Sequence, residues 1–170
     1  MRYIAFLVLA LLFAAPAAVS AQDSALADED TRFLQEAAVS GIFEMQASQM
    51  ALQSASQEQI KEFARLILIE HEVIDADLKR LASQHDVVLQ VALDGDRQGL
   101  LAELQQVTGA DFDRKYTELV AVGEHEKVVA LFTKTAQQSK RDDVKEFAAS
   151  TVPVLQQHLD AARKLKGAAN

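Results

Sequence analysis

The chain has no cysteine and no tryptophan, and its 170 residues include only two prolines and six glycines. Missing thiols exclude disulfides, a thiolate nucleophile, a cysteine-based metal site and a lipid-attachment cysteine. Stability must therefore come from packing. Basic residues are also scarce: 17 Lys and Arg stand against 25 Asp and Glu, a net charge of −8, with no basic cluster. Such a surface repels polyanions, which excludes nucleic acid as a partner and disfavours an anionic membrane. There is no Gly-rich phosphate loop and no glycine-flanked serine elbow, so nothing in the sequence points to nucleophilic catalysis. Strand-like alternation is nearly absent too.

One long apolar run is present, at the start. Arg2 supplies a short positive segment, Ile4 to Ala15 are apolar, Pro16 breaks the run, and Val19-Ser20-Ala21 offers small residues for a peptidase. Twelve apolar residues fall short of the ~20 that span a bilayer, so residues 1–21 are expected to be a secretory signal peptide cleaved after Ala21. Cleavage removes Arg2 and no acid, taking the charge from −8 to −9. No other run reaches membrane-spanning length. The mature chain is expected to be periplasmic or secreted. Residues 22–30, "QDSALADED", read as a flexible leader, and 31–166 as one domain.

Four segments within that domain carry apolar residues at helical spacing. The first, about Asp30 to Ser54, places Leu34, Ala37, Ala38, Gly41, Ile42, Met45, Ser48 and Leu52 on one face. The second, about Gln57 to His85, carries Ile60, Phe63, Ile67, Ile74, Leu78 and Leu81, with Ser56 as a candidate cap. The third, about Asp111 to Gln138, and the fourth, about Lys140 to Lys166, show similar stripes. Four amphipathic helices of similar length satisfy one another as a four-helix bundle. Between the second and third lies a long connection, residues 86–110, with a short helix expected near Arg97 to Val107. The expected class is all-α, a ferritin-like bundle. Whether that connection crosses the bundle or caps one end is open at this point.

Three apolar stripes each contain one histidine. His71 lies four residues from Ile67 and three from Ile74, His125 four from Ala121 and Val129, and His158 three from Leu155 and four from Ala162. Each imidazole therefore faces the interior, where an unpartnered ring costs on the order of 1–3 kcal/mol. His85 falls at the end of its helix, suited to the negative C-terminus. Glu44 edges the first stripe, Asp75 follows His71 by one turn, and Glu118 precedes His125 by two turns. Two readings follow. One is a buried polar network that holds the bundle in register. The other is a mononuclear metal site of His71, His125 and Glu44, with His158 as a further ligand and Glu118 and Asp75 as hydrogen-bonding support, for a transition metal ion such as Zn, Fe, Mn or Cu. A di-iron bundle takes a Glu-x-x-His from each of two helices. Here the residues three before the histidines are Leu68, Ala82, Val122 and Leu155, which excludes that arrangement.

The stretches "FLQEAAVSGIFEMQASQMAL", "IKEFARLILIEHEVIDADLKRLA", "GADFDRKYTELVAVGEHEKVVALF" and "VKEFAASTVPVLQQHLDAA" resemble an exported bacterial family catalogued as a domain of unknown function. Its members often carry an outer-membrane label and are grouped with ferritin-like bundles. The resemblance implies that fold, export, and a histidine on each of the second, third and fourth helices. It implies no agreed activity. The outer-membrane label fits this chain poorly, because barrel strands and a lipid-attachment cysteine are both missing. The functional expectation is a non-catalytic binding or stress-related envelope protein with structural histidines, alone, as a homodimer or with an envelope protein partner. The alternative is a metal-binding relative, an oxidase or a metal store.

Overall fold

The computed structural model describes residues 26–168; the expected signal peptide and the first residues of the leader lie outside that range. Helix α1 runs Asp28–Ser54. It begins within the segment read as leader, because Asp28, Glu29 and Asp30 form a first turn whose charges suit the positive end of the helix dipole. Helix α2 runs Glu58–Gln84. Its start is not capped by Ser56 as expected. Instead Asp113, from a distant part of the chain, accepts from the backbone N–H groups of Ser56 (2.9 Å) and Gln57 (3.1 Å) and from the Ser56 hydroxyl.

After α2 the chain turns at Asp86, which has φ 54, and enters the long connection. Helix α3 is Gly95–Gln105, capped by Asp94, whose carboxylate accepts from the Arg97 N–H at 2.9 Å. The third long helix is composite: α4 (Gly109–Lys115), a π-helical turn (Tyr116–Val122) and α5 (Gly123–Gln138). Helix α6, Asp142–Ala168, continues through Pro153.

Cross-helix contacts fix the directions. Late in α1, Ser48 meets Tyr116 at 2.9 Å, whereas early in α1 Phe33 stacks edge-on against Phe132 at 4.9 Å, so α1 and α5 are antiparallel. His85 at the end of α2 meets Asp143 at the start of α6, so these two are antiparallel as well. Because α1 and α2 form a hairpin, α2 and α5 run parallel. The connection therefore crosses the full length of the bundle, the ferritin-like topology. Its early residues Val87 and Leu89 pack on one end of the core, and Leu93, Leu100 and Leu101 on the other.

The core has two apolar halves. One contains Phe43, Ala47, Ile60, Phe63, Phe112 and Tyr116; the other contains Leu34, Leu78, Phe132, Val144 and Leu155. In the second half of α1 the buried face is Phe43, Glu44, Ala47 and Ala51, while Gly41, Ile42, Met45 and Leu52 are only half-buried. No helix among the described residues is long and apolar enough to cross a membrane.

Candidate metal centre

Between the two apolar halves lies a polar layer contributed by every long helix. His71 from α2, His125 from α5 and His158 from α6 are 4%, 1% and 0% exposed, and Glu44 from α1 is fully buried. The ring centroids of the three histidines lie 5.3–5.9 Å apart, with His71 and His158 stacked and His125 edge-on to both. One nitrogen can be chosen from each ring so that all three lie within 4.8 Å of one another.

The remaining ring nitrogens face carboxylates. His125 Nδ1 lies 2.9 Å from Glu44 Oε1, and His71 Nδ1 lies 3.6 Å from Glu44 Oε2. Both are ion-pair contacts without the alignment of a hydrogen bond. His158 Nε2 is 2.6 Å from Glu70 Oε2, on α2, a side chain that is 38% exposed. The nitrogens left over are His71 Nε2, His125 Nε2 and His158 Nδ1, and all three are buried with no hydrogen-bond partner. Leaving such groups unsatisfied costs about 1–3 kcal/mol each.

The carboxylate and the rings tune one another. Burial pushes His71 down to about 4, against an attraction from Glu44 that is too weak to restore it. Burial also lowers His158, opposed by its bond to Glu70. For His125, burial works against the charged ring, but Glu44, the Val120 carbonyl and Glu124 together outweigh it and the value rises. Burial would raise Glu44, yet His125 and then His71 hold it below its ordinary value. The layer is thus a buried Glu44–His125 ion pair beside two neutral imidazoles.

The donor set fits a metal ion. One nitrogen from each of the three imidazoles lies within 4.8 Å of the others, and each ring also has a nitrogen beside a carboxylate, as the carboxylates that orient histidine ligands do. Bonds of about 2.0–2.1 Å require the rings to close inward from this spacing.

Glu44, expected as a ligand, lies against the Nδ1 atoms of His71 and His125, and the group with one nitrogen each within 4.8 Å is the three histidines. Glu118 and Asp75 are not brought here. Glu118 is exposed beside Lys166, at 3.7 Å, because the π-helical turn inserts one residue and rotates it about 100° off the His125 face. Asp75 lies toward the rim, paired with Lys79 at 2.6 Å. Glu70, adjacent to His71 in sequence, was missed as a partner because its carboxylate reaches across to another helix. A groove of about 770 Å³ between the start of α1 and the end of α5 contains none of these residues.

A family model described as "Domain of unknown function (DUF4142)" matches residues 15–165. The chain belongs to that family. No curated protein matches it. Two solved structures are similar, titled "CopM in the Cu(I)-bound form" and "CopM in the Cu(II)-bound form". The first has 17% identity and a TM-score of 0.66 over 79% of this chain and 93% of that one. The second has 16% identity and a TM-score of 0.70 over 83% and 97%. At that identity the likeness shows a shared fold.

Proposed function

We propose that this DUF4142 member is a copper-binding protein of the cell envelope, holding one ion through His71 Nε2, His125 Nε2 and His158 Nδ1. The observation that carries the reading is the cluster of three buried imidazoles, one nitrogen of each within 4.8 Å of the others, with Glu44 and Glu70 against the rings. Copper is favoured over zinc, iron or manganese for two reasons. Divalent affinities of a given site peak at copper. The two structures of the same fold also carry copper in their titles. Export rests on the expected signal peptide, residues 1–21.

When bound, the ion supplies the positive charge that Glu44 otherwise takes from protonated His125. The chain's own residues do the rest: Glu44 orients two rings, Glu70 orients the third, and the apolar layers above and below keep water away. With no ring more than 4% exposed, the arrangement suits holding an ion rather than turning over a substrate.

Elemental analysis of untagged protein taken from the native periplasm tests this. One copper per chain is expected, lost in His71→Ala and in His125→Ala while both stay folded. Protein free of metal, with both variants folded but less stable, would return the histidines to a structural role.

A further inference from the structure

Helix α2 has a second apolar face, and it lies on the wrong side for the core. Ile69 and Val73 are 65% and 62% exposed, Leu66 is 39% exposed, and Ala76 is exposed with them. At 100° per residue these four lie about 180° from the inward line of Ile60, Ile67, His71 and Leu78. Their spacing of three, four and three residues is that of alternating a and d positions in a heptad, the spacing that forms a seam between two helices. One step further each way, the same seam reaches Glu62 and Arg80, both exposed.

The seam is self-complementary. Glu62 and Arg80 lie nine residues either side of position 71, Leu66 and Ala76 five either side, and Ile69 and Val73 two either side. Two copies of α2 laid antiparallel about a twofold axis at that position would set Glu62 against Arg80, Leu66 against Ala76 and Ile69 against Val73. Each charged end meets its opposite, and each large residue meets a smaller one. A surface that matches itself in this way is what an isologous dimer requires. We infer that the chain pairs with a second copy of itself through the outer face of α2.

The flanking charges set the strength of the pairing. Arg65 and Lys79 would approach one another across the seam, but Arg65 is already paired with Glu58 (2.9 Å) and Lys79 with Asp75 (2.6 Å). Glu70 would approach its own copy near the axis, yet its carboxylate is turned toward His158. Arg80 is paired with Asp77 at 3.0 Å and exchanges that partner for Glu62 of the second copy. Glu72 is exposed and has no such partner among the described residues, so the two copies of Glu72 repel. A seam of two heptads is also smaller than the ~800 Å² per partner typical of stable complexes. The dimer is therefore weak, concentration-dependent, and strengthened by salt or by removing the Glu72 charge.

Sedimentation analysis of the untagged chain, from micromolar to millimolar, tests the inference. Wild type is expected to shift from monomer to dimer, and Glu72→Gln to shift at several-fold lower concentration. Ile69→Glu is expected to remain monomeric with an unchanged circular dichroism spectrum. Glu62→Arg and Arg80→Glu should each weaken association at least tenfold, and the double variant should restore it, because the swapped charges face each other again. A wild-type monomer at every concentration would overturn the inference and leave the stripe to a different protein. So would a dimer indifferent to Ile69→Glu, or a double variant that fails to recover.

Discussion

His71 shows how much one side chain's surroundings can change its chemistry. Its ordinary value near 6.5 falls to about 4 on burial, so the folded protein holds it neutral while the unfolded chain takes up a proton first as the pH drops. Stability attributable to His71 is complete above about 6.5 and is lost between about 6.5 and 4, roughly 3 kcal/mol in all. His158 is lowered too and acts in the same direction. His125 is raised, so its contribution is complete below its ordinary value and does not offset the loss in that window. Urea unfolding of metal-free protein at pH 7 and pH 4.5 should therefore show a clear drop, and His71→Gln should flatten the curve. An equally steep curve in the variant would place the titration elsewhere. At this scale the sequence was informative about direction but not about partners. The 3.6-residue period aimed His71, His125 and His158 inward. Their carboxylates came from tertiary packing: Glu44 was visible as an edge residue, whereas Glu70 reaches a histidine 88 positions away.

The element that decides the geometry is the π-helical turn Tyr116–Val122. An extra residue there lets Phe112 and Phe132, 0% and 2% exposed, share the core. Twenty residues of straight helix would leave them about 160° apart. That mismatch was the available signal in the sequence, and a fixed 100° period passed over it, carrying Glu118 inward with it. Gly123 closes the turn. A Cβ there would sit 3.0 Å from the Glu118 carbonyl oxygen, so a larger residue must push on the backbone two residues before His125. Glycine to alanine inside an exposed helix ordinarily stabilises by about 1 kcal/mol. Gly99→Ala in α3, with nothing within 4 Å, should show that gain in thermal unfolding. Gly123→Ala should not, and its copper affinity should fall at least tenfold in a competition titration. An unchanged affinity would mean that the turn does not aim His125.

For the whole molecule, the crossover is what the sequence left undecided, since either topology satisfies the same four stripes. Direction is set by contacts between distant residues, Ser48 with Tyr116 and His85 with Asp143, and these have no local signature. The crossover is pinned by Arg97, which donates to buried Glu124 at 2.6 and 2.9 Å and to Ser40 at 2.7 Å, tying α3 to α1 and α5. Removing Arg97 leaves buried Glu124 with Lys127, at 3.2 Å, as its remaining charged partner. Arg97→Ala should therefore cost about 1–3 kcal/mol in denaturant unfolding while leaving the metal content of the protein unchanged. Loss of the metal with retained stability would show that the strap belongs to the site instead.

The centre draws its side chains from all four long helices, and only His125 and His158 lie on one helical hairpin, α5–α6. The three histidines therefore come together only when α2 docks on that hairpin. On the proposed reading, an ion would be taken up as the chain folds, from whatever supply surrounds it then, and the compartment in which folding finishes would itself be part of metal selectivity.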